Sequence, residues 1–462
     1  MPKKIYTVST RLQKDSNLVA YATDYVTEYN KIVRYAWYQY ISKDFDMTES
    51  ESRTHLCQKF NILGRTANSI THYIKGTYNS YKELKKTELE QLDIKIKKKQ
   101  EKVDALIEDI NKLKPKVIAR QITDKQLKKY QSNKQSLYYQ KNKLNKMKQQ
   151  RKNLELQIQN DVISLGFGSK QMFRKQYLLK ENSYKSHTKW YNDFVKQRDK
   201  NILYVGSNNE TQGNQMFQMT YNSETDDFII KVRKDRYVGN DNYVIDKVDF
   251  KYQKDLLKHI CLGYQNKQIS TPLTYRIHRE NNKWYLQVMF AIEYADYETN
   301  NQYGCIGLDY NDGFIELSET DEKGNLISQK HYDLTYHGTG NKAKTEIEQT
   351  ISNIVNYAKS KGKDISIENL NFKKTKANQT NAKTMFDKNY NSMLHKFDYS
   401  RYKETLDNCC HRRKVNLIKV NPKNTSKIGK QKYSNRMKLN THQAASYVIA
   451  RKGQGYIDKL VS

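Results

Sequence analysis

The chain has 462 residues, and its 82 Lys and Arg against 50 Asp and Glu give a net charge of +32. That length allows two to four buried cores, and that charge excludes an ordinary near-neutral surface and indicates a polyanionic partner. The positive charge is spread along the whole chain, so we predict a long groove or several contact faces rather than one basic tail.

The cysteines and the hydropathy pattern exclude several classes of protein. The five cysteines include no CxxC pair, which argues against a zinc site, and their odd number argues against a disulfide framework. We therefore expect a reducing, cytoplasmic compartment. The opening MPKKIYTVSTRLQKDSN has no apolar signal core, and no run of about 18 apolar residues occurs, so no membrane role is expected.

The first part of the chain reads as one strand followed by helices. Ile5–Leu12 alternates like a strand, and Ser16–Ile41 places apolar and aromatic residues at helical spacing. A second helical stretch covers Ala67–Tyr81. Its tyrosines fit either stacking on bases or a buried aromatic stripe, and the buried stripe is the more common arrangement.

From Lys86 to Gln159 the pattern changes to a heptad seam, which is interrupted between Pro115 and Thr123. The first half of the seam consists of Leu89, Leu92, Ile96, Val103, Leu106, Ile110 and Leu113. We predict an antiparallel helical hairpin that is intensely basic outside and whose ends lie close together. Two roles stay open, a strut that only separates domains and an arm that grips phosphates.

A glycine-rich segment and a run of strands follow the hairpin. Gly166–Tyr177 places Lys170, Arg174 and Lys175 among aromatic residues, which is a weak signal for phosphate contacts. From Ile202 to Tyr294 the pattern is that of strands, which predicts a small antiparallel β-barrel or sheet. If the first strand of the chain pairs with it, the helices in between are an insertion into a β domain.

The stretch Gly304–Asn325 reads as a β-hairpin, with a turn at Asp321–Asn325 and a lone carboxylate, Asp309, in its first strand. An acid inside an apolar strand is costly unless it is paired, hydrogen-bonded or bound to a metal. The alternative is an edge strand with Asp309 facing water.

A second acid occupies a comparable position after a predicted crossover helix at Lys344–Ser360. Glu368 closes the strand that begins at Asp364, which is a usual location for a catalytic acid in an α/β fold, although a plain exposed Glu is the alternative. Lys373–Asn391 is polar and predicted to be a mobile loop. The remaining elements are a helix at Tyr399–Lys414, a strand at Val415–Val420, a loop and a last helix that starts near Thr441.

A strand, a hairpin, a helix, a strand, a helix and a strand, with acids on two of the strands, form an RNase H-like layout. Two carboxylates that meet at one place can hold one or two Mg²⁺ ions for phosphodiester hydrolysis. The layout therefore predicts Asp309 and Glu368 as catalytic residues and metal ligands.

Several motifs resemble the TnpB family of transposon-encoded, RNA-guided DNA nucleases, which are related to type V CRISPR effectors. GLDYNDGFIELSETDEKGN resembles the first RuvC motif with Asp309 in the metal-binding place, and ISIENLNF resembles the second motif with Glu368 in the acidic place. The resemblance is strong over 301–462 and patchy before that. Its further segments are VNPKNTSKIG, HQAASYVIARKG, ANSITHYIKG, FGSKQMFRKQY and RENNKWYLQV.

This resemblance implies a multidomain α+β protein. Residues 1–15 with 200–300 would form a β-barrel domain, 16–199 a helical recognition lobe that contains the hairpin 86–159, and 301–462 a RuvC-like nuclease domain. Its partners would be guide RNA and target DNA, with no small-molecule substrate. The basic residues that we expect at nucleic acid are Lys170, Arg174, Lys175, Arg412, Arg413 and Arg451.

The sequence departs from the family pattern in two places. The zinc ribbon of two CxxC pairs is absent, so we expect a zinc-less loop at 423–440. The third acid is also missing, because Thr441 stands where Asp is expected and His442 lies beside it. Histidine replaces the third acid in some RuvC-like nucleases, as a ligand or as a proton carrier. The resemblance therefore implies His442 as third catalytic residue and metal ligand, with a proton-carrying role as the alternative. The alternatives are a nuclease-inactive, RNA-guided DNA-binding repressor and a conventional transposase.

Overall fold

A computed structural model of the protein describes residues 4–41, 48–163, 165–235, 242–266, 271–292, 297–311, 313–335, 340–369 and 399–460. The predicted loop Lys373–Asn391 lies outside these residues. The chain divides into two compact units, Pro2–Glu293 and Tyr294–Ser462. Each unit combines helices with strands, which confirms the mixed α and β class. Of the described helices, none is both long and apolar enough to span a bilayer.

The described residues of the first unit form seven α-helices. Their bounds are α1 Asn17–Ile41, α2 Glu49–Phe60, α3 Gly64–Ile118, α4 Asp124–Gln159, α5 Lys170–Arg174, α6 His187–Arg198 and α7 Lys254–Gln265. Tyr21, Tyr25 and Tyr29 of α1 are buried in the core of this unit, whereas Tyr38 and Tyr40 near the end of the helix are exposed. The aromatic stripe of the first helix is therefore a packing feature.

The strands of the first unit form two open sheets. Their bounds are β1 Lys4–Arg11, β2 Asn201–Tyr204, β3 Phe217–Asn222, β4 Asp227–Arg233, β5 Tyr243–Val248, β6 Thr274–Glu280 and β7 Lys283–Ile292. One sheet has the order β1-β7-β6-β2 and the other the order β3-β4-β5. The described strands do not close into the expected barrel, because β1 and β2 remain the two edges of their sheet. The first strand of the chain does pair with the later strands, since β1 runs antiparallel to β7 with Thr7 opposite Met289.

Helices α3 and α4 form a long antiparallel pair of 55 and 36 residues. The two helical stretches predicted around Tyr81 and Lys86 are one continuous helix, because no helix-breaking residue separates them. Lys85 donates a hydrogen bond to the Gln157 side chain at 3.1 Å, so the pair returns the chain close to where the seam began. Val103, Ile110 and Leu144 are the buried residues of the seam.

The second unit is built on a five-stranded sheet. Its strands are β8 Asn300–Asn311, β9 Phe314–Thr320, β10 Leu326–Asp333, β11 Lys363–Glu368 and β12 Leu417–Val420. Their order is β10-β9-β8-β11-β12, in which the first three strands form an antiparallel meander and the last two run parallel to β8. The two strands of the predicted hairpin, β8 and β9, are thus part of a three-stranded meander that β10 completes.

The helices of the second unit cover both faces of this sheet. Their bounds are α8 Asn341–Lys361, α9 Tyr399–Arg412, α10 Thr425–Ile428, α11 Asn435–Met437 and α12 Thr441–Gly453. Leu308 and Ile367 pack in a core with residues of α8 and α9. Their neighbours Gly307 and Ser366 contact α12 instead, since successive strand residues point to opposite faces.

The segment 423–440, predicted as a loop, is largely helical. It contains α10, a single π-helical stretch at Gly429–Ser434, and α11. Ile428 and Tyr433 are buried against Ala444 and Tyr447 of α12. These apolar contacts give the segment a packed structure without cysteine ligands, and the two aromatic rings lie 4.8 Å apart edge to face.

Gly307 brings the backbones of β8 and α12 into direct contact. A methyl group at Gly307 would lie 2.1 Å from the Ser446 carbonyl oxygen and 2.3 Å from the Ala450 nitrogen. We predict that Gly307→Ala destabilises the second unit by about 3 kcal/mol, because helix and strand must separate to admit the methyl group. Denaturant unfolding measures this. Gly340→Ala is the control, since its methyl group meets no atom within 4 Å, and an equal loss in both variants would contradict the prediction.

Candidate active site

Asp309 and Glu368 are neighbours where the parallel pairing of β8 with β11 ends. Leu308 of β8 is opposite Ile367 of β11, so the residues that follow them are neighbours on the other face of the sheet. This is the face that α12 covers through Gly307. The two acids that the sequence analysis singled out are therefore brought together by the register of the sheet.

Glu368 is held in an environment that disfavours its charge. Burial, with a smaller contribution from the charge of Asp309, raises the pKa of Glu368 to about 7, against the opposing effects of a hydrogen bond from Thr425 and the charge of Lys452. Two neighbouring carboxylates resist ionising together unless a proton or a cation offsets their repulsion. The pair of carboxylates therefore favours the binding of a proton or of a cation.

His442 contacts Asp309 from the first turn of α12. Its Nδ1 lies 3.1 Å from Asp309 Oδ2, and Asn311 donates a hydrogen bond to the same oxygen at 2.9 Å. The hydrogen bond with Asp309 raises the pKa of His442, against the opposing effect of partial burial. Asn440 caps the helix by accepting from the backbone N–H groups of His442 and Gln443, which fixes this turn.

His442 is accessible, while Asp309 is mostly covered. The side chain of His442 is 48% exposed and that of Asp309 is 15% exposed. With Nδ1 directed at Asp309, the other ring nitrogen, Nε2, is free of that contact. Thr441 and His442 are the two candidates for the place of the third acid, and His442 is the one that reaches Asp309.

Glu316 is a carboxylate at this site that the sequence analysis missed. It lies directly opposite Asp309 on β9 and is only 2% exposed. His331 Nδ1 lies 2.8 Å from its Oε1, while its Oε2 has no hydrogen-bond partner among the described residues. The charge of Glu316 is one of the causes that raise the pKa of His442. Asp309 is therefore not the lone carboxylate of its hairpin.

A sequence signal for this pairing existed. Asn311 pairs with Phe314, so two residues connect β8 to β9, and the intervening Asp312-Gly313 dipeptide is a strong hairpin signal. The interpretation that placed the turn at Asp321–Asn325 overlooked it. Counting back from the earlier turn sets Asp309 opposite Glu316.

The basic residues predicted at nucleic acid differ in how far they are engaged. Lys170 and Arg174 of α5 and Arg412 at the end of α9 are exposed. Arg413 donates a hydrogen bond to Ser352 at 2.8 Å, and Arg451 donates to Asp458 at 2.9 Å. The guanidinium groups of Arg413 and Arg451 thus take part in hydrogen bonds within the second unit. Lys175 is half-buried and starts a short 3₁₀ turn.

The residues present fit Mg²⁺ through two carboxylates rather than three side chains. No three described His, Cys, Asp or Glu side chains are arranged to hold a metal ion. Mg²⁺ commonly binds one or two carboxylates, keeps several waters and takes further oxygens from phosphate. Asp309 and Glu368, whose mutual repulsion a cation would relieve, match that requirement.

Comparison with known proteins gives no close relative. No protein-family model matches the chain, and no curated protein matches it in sequence. A cryo-EM structure of a Cas12f1–sgRNA–target DNA complex aligns at 12% identity and a TM-score of 0.40, over 97% of this chain and 99% of that one. A cryo-EM structure of a CRISPR-Cas12f ternary complex aligns at 11% identity and a TM-score of 0.22, over 97% and 98%.

A third solved structure, a Cas12i1 R-loop complex after target DNA cleavage, aligns at 9% identity and a TM-score of 0.23, over 88% of this chain and 50% of that one. TM-scores this low do not establish a common fold.

The environment of Glu368 predicts a pH-dependent stability. Its pKa is raised from 4.5 to about 7 in the folded chain, so the folded state keeps a proton that the unfolded state loses. Stability should therefore fall as pH rises from about 4.5 to about 7 and stay level above that. Glu368→Gln removes this dependence and should stabilise the protein by about 3 kcal/mol at pH 8 without divalent cation.

Urea unfolding of parent and variant at pH 5 and pH 8, both in EDTA, measures the difference. Glu322→Gln is the matched control, because Glu322 is an exposed carboxylate of the same unit. An equal stability gap at the two pH values would contradict the prediction.

Proposed function

We propose that the protein is an RNA-guided DNA endonuclease, and that its second unit is a RuvC-like domain that hydrolyses phosphodiesters with Mg²⁺. One observation carries the nuclease part: Asp309 and Glu368 are neighbours where the pairing of two parallel strands ends, and His442 contacts Asp309. The strand order β10-β9-β8-β11-β12 supports an RNase H-like arrangement. The guide RNA is supported by the TnpB-like motifs and by the net charge of +32.

The side chains of the site divide the chemical work. Asp309 and Glu368 would hold one or two Mg²⁺ ions. When bound, Mg²⁺ lowers the pKa of water and offsets the charge that develops on a phosphate. Asp309 also fixes the imidazole of His442 through Nδ1, so that Nε2 is the atom that holds or hands over a proton.

Proton transfer by His442 does not require it to bind the metal. Because Nδ1 is directed at Asp309, we propose that His442 completes the site chiefly as a proton carrier. The raised pKa of His442 increases the fraction that carries a proton near neutral pH.

The remaining parts of the chain would bind nucleic acid. We propose the predicted boundaries for them, which are a β domain from 1–15 and 200–300 and a helical lobe from 16–199, in addition to the nuclease domain 301–462. Lys170, Arg174 and Lys175 would contact phosphates in the lobe, and Arg412 in the nuclease domain. Arg413 and Arg451 would contact nucleic acid only through the parts of their guanidinium groups that are not used in hydrogen bonds within the unit.

One experiment tests this function. The protein is co-expressed with the DNA that flanks its gene, the RNA that it retains is sequenced, and the complex is assayed on a target library with Mg²⁺. We expect RNA of defined sequence and cleavage of matching targets. Target binding without cleavage in Mg²⁺ or Mn²⁺ would identify an inactive guided binder, for which the missing third acid is the favouring observation. Absence of retained RNA would favour a conventional transposase.

RNA binding should depend steeply on salt. Lys and Arg that neutralise phosphates release counterions, so the logarithm of affinity falls linearly with the logarithm of salt concentration. For the +32 chain we predict at least a tenfold loss of affinity on doubling the salt concentration, which corresponds to about five phosphate contacts on a single strand. Filter binding over a salt series gives the slope, and a slope near zero would rule out this mode of binding.

A further inference from the structure

Helix α4 is the most one-sidedly charged element of the first unit. Its 36 residues, Asp124–Gln159, include ten Lys and Arg but only two acids, Asp124 and Glu155, which stand near its two ends. The interior of the helix is therefore a basic rod about 45 Å long. Its partner α3 does not neutralise it, because only Lys129 and Arg151 of α4 form ion pairs with α3 among the described contacts.

The middle of α4 has cationic side chains that no acidic side chain neutralises among the described residues. Lys141, Lys143 and Lys146 are exposed and form no ion pair among the described residues. Burial lowers the pKa of Lys99 on α3, and the charges of Lys143 and Lys102 lower it further. Like charges therefore repel across the helix pair, and a polyanion on the outer face would relieve that repulsion.

Two aromatic rings stand on the same outer surface. Tyr138 is 64% exposed and Tyr139 is 60% exposed, and their ring centroids lie 5.7 Å apart in a T-shaped arrangement. The adjacent Leu137 is half-buried on the seam side, so packing between the helices does not use these two rings. Exposed tyrosines of this kind are poor candidates for a surface that meets only water.

The rings and the cations follow the same helical rows. Lys143 and Lys146 lie four and seven residues after Tyr139, and Lys141 lies three residues after Tyr138, so each ring shares a face with lysines. Seven residues of helix span roughly 10 Å, which is the rise of about three stacked nucleotides on one strand. Rings for bases next to cations for phosphates are the two components of single-strand recognition.

We infer that the outer face of α4, defined by Tyr138, Tyr139, Lys141, Lys143 and Lys146, binds a single-stranded stretch of nucleic acid, with unpaired bases on the tyrosine rings. A duplex keeps its bases stacked inside and offers only phosphates to this face, so it binds more weakly. Nucleic acid as the partner class rests on the function proposed above, but this face is separate from the acidic residues of the nuclease site.

Binding of fluorescein-labelled U20 RNA and of a 20-base-pair duplex to the full chain tests the inference, after nuclease treatment and high salt have removed bound RNA. Tyr138→Ala/Tyr139→Ala should lower the affinity for U20 by about tenfold or more, since stacking on one ring contributes about 1–3 kcal/mol. The affinity for the duplex should change less than about twofold. Tyr138→Phe/Tyr139→Phe retains the rings and should restore the parent affinity.

Charge reversal separates the contribution of the lysines. Lys143→Glu/Lys146→Glu should weaken both probes and make the salt dependence less steep, because phosphate contacts are lost whatever the bases do. Lys114→Glu/Lys116→Glu is the matched control, with two exposed lysines near the end of α3. Circular dichroism checks that each variant keeps its helices.

Crosslinking places the contact on the chain. U20 that contains 4-thiouridine is irradiated with the parent protein, and the crosslinked peptides are identified by mass spectrometry. We expect crosslinks at Tyr138 or Tyr139. Crosslinks confined to other segments would overturn the inference, as would an alanine variant that binds U20 like the parent or loses both probes equally. If crosslinks appear at α4 but the cleavage assay fails, the proposed nuclease activity is refuted and the binding of single-stranded nucleic acid by α4 is not.

Discussion

Asp309→Ala or Glu368→Ala should lower the rate of DNA cleavage by about 1,000-fold or more while RNA and target affinities stay within about twofold. Asp309 lies within β8 and Glu368 ends the neighbouring strand β11, and each would hold Mg²⁺ near the scissile phosphate. Loss of one group that stabilises charge in a transition state commonly costs 10²–10³ in rate, and loss of a metal costs at least as much. The basic surfaces that we propose for RNA binding are unaffected.

Single-turnover cleavage of a matched target, with filter binding on the same preparations, measures both quantities. Asp309→Asn and Glu368→Gln keep the shape and remove only the charge, so they should be as inactive as the alanine variants. Glu322→Gln, in an exposed turn of the same unit, should cleave like the parent. A variant at Asp309 or Glu368 that cleaves at the parental rate would remove that residue from the proposed site.

His442→Ala should lower the cleavage rate by about 100-fold, the lower end of what general acid–base catalysis contributes. The hydrogen bond with Asp309 raises the pKa of His442, so the parent should lose the protonated form only above the usual range of histidine. The rate of the parent should therefore show a pH limb that His442→Ala lacks. Rates measured from pH 6 to pH 9 under single-turnover conditions reveal it.

His442→Asp separates a metal ligand from a proton carrier. If position 442 supplies a metal ligand, the aspartate should keep or raise activity, because a carboxylate is a ligand that Mg²⁺ prefers. If His442 is instead a proton carrier, the His442→Asp variant should lose the pH limb of the rate, since an aspartate does not titrate near neutral pH. Equal rates for His442→Ala and the parent would pass the role to Thr441 or another residue.

The two acids were predictable because each breaks a local rule. Asp309 interrupts an apolar strand and Glu368 ends one, and both anomalies are visible within ten residues of sequence. Their proximity followed from a topological argument, that parallel strands with a helix between them end at the same edge. The structure places them at that edge through the pairing of Leu308 with Ile367.

Other features depended on information that no local pattern contains. Closure of a barrel is decided by whether the edge strands β1 and β2 meet, and alternation within a strand is the same in an open sheet. The helical structure of 423–440 depends on burial of Ile428 and Tyr433 against α12, which begins after the segment ends. Glu316 was predictable in principle, since the Asp-Gly turn sets its partner, but an alternating strand gives no sign of which acid is buried.

The contact of Gly307 with Ser446 and Ala450 has a consequence for how this gene tolerates change. Because glycine lets the two backbones touch, α12 is anchored at its middle, and His442 reaches Asp309 from a fixed distance of one turn before that anchor. Substitutions at position 442 leave this spacing intact. One extra codon between His442 and Ser446 would instead turn the imidazole by about 100° around the helix while the anchor holds. The proposed catalytic site is thus far more vulnerable to frame-preserving insertions than the fold that carries it.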